Sequence, residues 1–184
     1  MAPAGPDRVV LVGMMGSGKS TIGSILAQRL GWPFHDNDVM LRQLFAATPR
    51  ELLAAGGEAA MHSAEVTALR AALDMPAPAV VAAAGGTILD PELRSELSEA
   101  GLIVWLRVAG ETVQRRSAGG AHRPWPDDDR AGWIAQAVEA RERLYDEVAD
   151  LVLDTDALAP ETLAGRIVEE LGRDPAADGV ARRP

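Results

Sequence analysis

The 184-residue sequence contains no cysteine, which excludes disulfides and cysteine-based zinc sites. That absence fits a reducing compartment, and a cytoplasmic protein is expected. No apolar run approaches the ~20 residues needed to span a bilayer, so no membrane association is expected. Residues 1–8 carry no hydrophobic segment of the kind a secretory signal needs. Positive charge is short: 18 Lys and Arg stand against 27 Asp and Glu, for a net charge of −9. That balance argues against general affinity for nucleic acid or anionic membranes. It does not bear on nucleotide binding, which a few local donors decide. The length suits one α/β domain with a single core, expected over residues 1–171, and a monomer is expected.

The chain alternates between two periodicities. Residues 8–12 are a short β-branched run ending in glycine, as a buried strand does. After a glycine-rich turn, residues 21–30 have apolar positions at helical spacing, stopped by Gly31. Further strands are expected at 33–35, 79–83, 102–106 and 151–153. Helices are expected at 39–46, 49–55, 58–73, 111–116, 131–148 and 161–171. One more opens at Pro91 with Asp90 as N-cap and ends near Gly101. Residues 117–129 are rich in Gly, Pro and charge and read as irregular. Residues 172–184 read as a frayed tail. Strands alternating with helices predict a parallel sheet with helices on both faces.

The segment Gly13-Met14-Met15-Gly16-Ser17-Gly18-Lys19-Ser20 matches the P-loop pattern, and Thr21 continues it into the helix. Its glycines let backbone N–H groups converge on phosphate oxygens at a positive helix N-terminus. Lys19 offers a point charge to the β- and γ-phosphates, and the Ser20 hydroxyl suits Mg²⁺. The match sits between an expected strand and an expected helix, which is the context that gives the pattern its meaning. The expected cosubstrate is ATP with Mg²⁺.

Other residues read as site candidates on chemistry and spacing. Asp36 and Asp38 follow a strand end, the edge where open α/β sheets place ligands. Helix capping is the competing role for them. Ile134, Ala137, Val138, Tyr145 and Val148 form one helical stripe, and at ~100° per residue Arg141 falls in its middle. An inward charge there calls for an anion, either a ligand carboxylate or an internal Asp or Glu. Glu58, His62 and Glu65 share one helix face, which puts His62 between two carboxylates. His62 is either a solvated surface histidine or a pH-dependent anion binder. Arg116 and Arg123 flank a glycine-rich stretch and fit a lid over phosphates, about residues 117–129, or an ordinary surface loop. Trp32, Trp105, Trp125 and Trp133 read as packing, and His35 and His122 are given no role.

From Arg8 to about Leu171 the sequence resembles the shikimate kinase family. The motifs run in order: the P-loop; Asp36-x-Asp38; Gly57-Glu58 with Glu65; Gly85-Gly86 in place of a three-glycine turn; and Arg115-Arg116. Arg123-Pro124, Arg141-x-x-Leu144-Tyr145, and Asp154-Thr155 with Pro160 follow. The resemblance implies a nucleoside-monophosphate-kinase-like P-loop fold, a five-stranded parallel sheet with a mobile lid. It implies that Asp38 binds the acceptor hydroxyl and takes its proton, and that Asp36 orients water on Mg²⁺. By the same resemblance, Arg141, Gly85 and Gly86 bind the acceptor. Arg123 reaches the transferring phosphoryl group, and Arg116 and Pro160 flank adenine.

Three departures stand out. Met61-His62 replaces the family's Phe-Arg, whose arginine holds the shikimate carboxylate. Ala84 replaces the first glycine of the turn, and Met40-Leu41 replaces an Ile-Glu pair. All three are expected near the acceptor side, with His62 as the arginine's substitute. The leading expectation is ATP-dependent phosphorylation of shikimate. The alternatives are the same transfer to another polyol or cyclitol, and a nucleotide-binding paralogue with little turnover.

Overall fold

A computed structural model describes residues 6–116 and 129–172. Five strands form one parallel sheet in the order β2-β3-β1-β4-β5. They are β1 (Arg8–Val12), β2 (Phe34–Asp36), β3 (Ala79–Ala82), β4 (Leu102–Arg107) and β5 (Leu151–Asp154). The helices between them are α1 (Lys19–Leu30), α2 (Asn37–Phe45), α3 (Pro49–Leu73), α4 (Pro91–Glu99), α5 (Gly110–Arg116), α6 (Arg130–Val148) and α7 (Pro160–Leu171). The expected α/β class is therefore borne out, with element ends within a residue or two of the sequence reading for most elements. The tail expected at 172–184 lies outside the described residues beyond position 172, and so does nearly all of the lid expected at 117–129.

The sheet's period of two sorts its side chains into two cores. Val10, Val12, Val81, Ile103 and Trp105 face one side, where they meet Leu69 of α3, Leu93 and Leu97 of α4, Val113 of α5, and Ile134 and Tyr145 of α6. Val9, Leu11, Val80, Leu102, Val104 and Leu106 face the other side, against Ile22 and Leu26 of α1 and Leu163 and Ile167 of α7. Covering both faces explains why the strands are nearly uninterrupted apolar runs.

The helix ends follow local chemistry. Asp90 accepts from the Leu93 N–H at 2.8 Å, and Pro91 occupies the first helical position where its missing N–H costs nothing. Thr48 and Glu51 form a reciprocal capping box at the start of α3. The two helices expected at 49–55 and 58–73 are both present within the α3 span and meet at a kink at Gly57, whose φ of 75° breaks the helical path. Met40 and Leu41 do not reach the acceptor side as expected. Leu41 is fully buried between α2 and α3 with Ala64 and Ala68, and Met40 packs beside it. That departure repacks a helix pair.

Candidate active site

Every strand points its carboxyl end toward the same edge of the sheet, and one cleft of about 520 Å³ opens there. The turn after β1 forms its floor. A side chain at Gly13 would press on the Leu106 carbonyl at 2.5 Å, so glycine lets the loop leave β1 against β4. Gly13 itself does not line the cleft, but its carbonyl accepts from Lys19 Nζ at 2.8 Å, and the Met14 carbonyl does so at 2.9 Å. These two neutral acceptors hold the ammonium over the loop. Gly16, Ser17, Gly18, Lys19, Ser20 and Thr21 all face the cleft at the N-terminus of α1. The first turn of that helix carries no acidic residue of its own.

Asp36 does two jobs with two oxygens. Oδ1 accepts from the Asp38 N–H at 2.9 Å and caps α2. Oδ2 accepts from the Ser20 hydroxyl at 2.6 Å. The capping role weighed for this pair thus falls to Asp36, and Asp38 lines the cleft one residue inside the helix. The residues fit Mg²⁺ brought with a nucleotide. A hydroxyl and a carboxylate stand together beside the phosphate loop, whereas no group of three or more His, Asp or Glu among the described residues could hold a metal alone. Mg²⁺ keeps several waters and takes phosphate oxygens, so such a sparse protein set suits it.

Arg116 closes the nucleotide end. Its Nη1 donates to the Gly16 carbonyl at 3.2 Å and its Nη2 to the Thr155 carbonyl at 3.1 Å. Pro160, Leu158 and Thr155 form the opposite wall. Arg123 lies outside the described residues.

The other end is built by α2, α3, α6 and the turn after β3. Gly85 and Gly86 line it, and the buried Tyr145 hydroxyl donates to the Gly85 carbonyl at 2.7 Å, fixing the turn. Burial pushes the Tyr145 hydroxyl far up, so it stays a neutral donor. Arg141 reaches the cleft from the α6 stripe as its phase requires. Its guanidinium lies over Trp133, 5.6 Å from the ring centroid, and its buried Nε has no partner among the described residues. Arg141 forms no ion pair with a carboxylate among the described residues, which favours the ligand reading over the internal one. Trp133, expected only to pack, also lines the cleft.

His62 is the clearest departure from expectation. It is not among the residues lining the cleft; Met61 and Glu65 are. The inward stripe of α3 runs through Met61, Glu65, Ala68 and Ala72, one step round the helix from His62. Glu58 is exposed just past the Gly57 break, and His62 lies half-buried beside Gly86. Glu65 is 6% exposed, and burial, reinforced by the Asp38 charge and opposed by Arg141 and Lys19, lifts its carboxyl to about 7. Asn37 is another residue that sequence reasoning missed. It lines the cleft at 1% exposure, with no partner among the described residues for either end of its amide. Its place between two aspartates at a strand end was the available signal.

Gly86 sits hard against Glu65: a Cβ there would lie 2.8 Å from Oε2. Gly86→Ala is therefore expected to displace the Glu65 carboxyl. Moving that carboxyl disturbs this end of the cleft, so the acceptor KM should rise. The KM for ATP should hold, and steady-state kinetics with each substrate varied in turn checks both.

A phosphate loop with its lysine, a hydroxyl–carboxylate pair beside it, and a second wall carrying Asp38 and Arg141 define a P-loop kinase for small molecules. Comparison with known proteins gives the family. The Shikimate kinase family model matches residues 15–172, and the chain belongs to the shikimate kinase family. The chain is 36% identical over 164 residues to the shikimate kinase of Paramagnetospirillum magneticum, covering 89% of this chain and 83% of that one. It is 35% identical over 166 residues to that of Moorella thermoacetica, covering 90% and 95%. Among solved structures, shikimate kinase from Acinetobacter baumannii in complex with shikimate superposes with a TM-score of 0.85 at 27% identity, covering 96% of each chain. The Aquifex aeolicus shikimate kinase superposes at 0.77 and 25%, covering 94% of this chain and 99% of that one. A Sinorhizobium meliloti gluconokinase, at 0.66 and 20%, shares the fold. The protein is thus a small-molecule kinase that uses ATP with Mg²⁺. Among the described residues no helix is long and apolar enough to cross a membrane.

Proposed function

We propose that this protein transfers the γ-phosphoryl group of ATP to a hydroxyl of shikimate. The observation that carries the reading is that the phosphate loop and the wall bearing Asp38, Glu65 and Arg141 line one continuous cleft. Phosphoryl transfer needs an alcohol held in line with the γ-phosphate and charge neutralised around it, with little covalent work for the protein. Lys19 supplies the fixed charge, and the loop N–H groups and α1 cradle the phosphates. Ser20, with Asp36 behind it, would hold Mg²⁺, which would supply charge neutralisation at the phosphates. Arg116 and Pro160 flank the base. Arg141 holds the acceptor carboxylate. Asp38 accepts the acceptor hydroxyl's proton as the new O–P bond forms and the bond to ADP breaks. Arg123 is assigned to the transferring group on its sequence pattern alone.

One observation favours a second reading. His62 stands where the family pattern has an arginine, and α3 presents Met61 and Glu65 to the cleft. A pocket with one guanidinium suits an uncharged polyol better than two would. Purified protein with ATP and Mg²⁺, assayed for ADP release against shikimate, gluconate and several cyclitols, separates the readings. Shikimate is expected to lead in kcat/KM by at least ~10²-fold, the discrimination a site gains from pairing a ligand's polar groups. An uncharged polyol turned over equally well would replace it as the acceptor. The absence of turnover with every acceptor would leave a nucleotide-binding paralogue.

A further inference from the structure

Glu65 carries more of the acceptor pocket than its place in the sequence suggests. It is buried, it lines the cleft, and its Oε2 has no partner among the described residues. The groups around it come from four elements. Asp38 faces it from α2, Lys19 from α1, and Arg141 and Tyr145 from α6. On its own helix His62 flanks the same glycine, with Nδ1 3.8 Å from where a Gly86 Cβ would stand. Glu65 forms no ion pair with any of these cations among the described residues. Two carboxyl groups therefore share one side of a cleft that also receives an anion. When two such groups sit in unlike environments, one keeps its charge and the other its proton. Glu65, sunk against Gly86, is the one suited to stay neutral.

We propose that Glu65 binds the acceptor as a carboxylic acid, donating a hydrogen bond to the acceptor's carboxylate beside Arg141. One guanidinium and one neutral acid would then hold that anion. The role rests on the reading that the acceptor is shikimate. A bound anion accepts a hydrogen bond from the protonated carboxyl and is repelled by the ionised form, so it selects the acid. Burial and Asp38 lift the carboxyl to about 7, so the proton is present on a large share of molecules at neutral pH. The sign follows directly. Acceptor binding is full below that pH and weakens above it by up to about tenfold per pH unit. The nucleotide site makes no use of this proton, so the KM for ATP should stay flat.

The test is calorimetry of shikimate binding to the full chain with ADP and Mg²⁺ at pH 8, in two buffers of different ionisation enthalpy. The wild type is expected to take up close to one proton per shikimate bound. Glu65→Gln keeps a permanent donor of the same shape, so it should take up almost none. Its acceptor KM should stay level from pH 6.5 to 9 while the wild-type value climbs. His62→Gln should behave as the wild type does. Binding without proton uptake by the wild type would overturn the proposal, as would uptake that persists in Glu65→Gln. Uptake lost in His62→Gln instead would make the histidine the titrating group, again overturning it. Binding and turnover of shikimate absent at every pH would remove the acceptor reading itself, and this role with it.

Discussion

Lys19→Ala is expected to reduce phosphoryl transfer by at least ~10³-fold, the upper end of the loss when one preorganised donor is removed from a transferring group. Lys19 is the only lysine in the chain. Its Nζ is already held over the loop by the Gly13 and Met14 carbonyls at 2.8 and 2.9 Å, so the charge is in place before any nucleotide arrives. Arg116 offers no substitute, because its guanidinium is tied to the Gly16 and Thr155 carbonyls at the nucleotide end. Lys19→Arg should rescue poorly, since a planar fork does not reproduce a compact ammonium between two carbonyls. Coupled measurement of ADP release, with nucleotide affinity by calorimetry, checks the effect. Turnover near the wild-type rate would remove the phosphate-loop reading.

Asp38→Asn should lower kcat by at least ~10²-fold, the low end of general-base contributions. The geometry separates this loss from a structural one. The Asp38 N–H is satisfied by Asp36 Oδ1 at 2.9 Å, so capping of α2 depends on Asp36 and not on the Asp38 carboxylate. Asparagine keeps the shape and removes the basic oxygen. The melting temperature should therefore move less than kcat does, because α2 keeps its cap on Asp36. Asp36→Ala should do the reverse in part, weakening the helix start by ~1 kcal/mol as it detaches Ser20. Unchanged kcat in Asp38→Asn would assign the proton acceptance elsewhere.

Much of this site was legible from local rules. The strand, loop and helix around Lys19 follow from a β-branched run, a glycine pattern and an apolar period. Helical phase alone placed Arg141 inside α6, and the structure adds that no carboxylate of the described residues pairs with it there. The same phase argument grouped Glu58, His62 and Glu65, and there it went too far. It names a face without naming what stands opposite. Glu65 meets the Gly86 turn and α6, whereas Glu58 meets solvent, and only the chain crossing that assembles the cleft makes that difference. Met40 and Leu41 show the same limit. Their neighbourhood in sequence suggested the acceptor wall, but Leu41 turns into the α2–α3 contact.

The polar atoms left without protein partners have a consequence for how this molecule can be improved. Asn37, Glu65 and Arg141 each present such an atom in the cleft wall. A buried polar group lacking a partner costs ~1–3 kcal/mol. Asn37→Leu is thus a plain route to a hardier protein, and one expected to raise the melting temperature of the ligand-free chain while depressing catalysis. A directed-evolution campaign scored on heat survival alone would be drawn to these positions first and would close the wall that the chemistry needs open. Screening for survival in the presence of the acceptor would reverse the pressure, because a ligand that supplies the missing partners makes the same side chains stabilising.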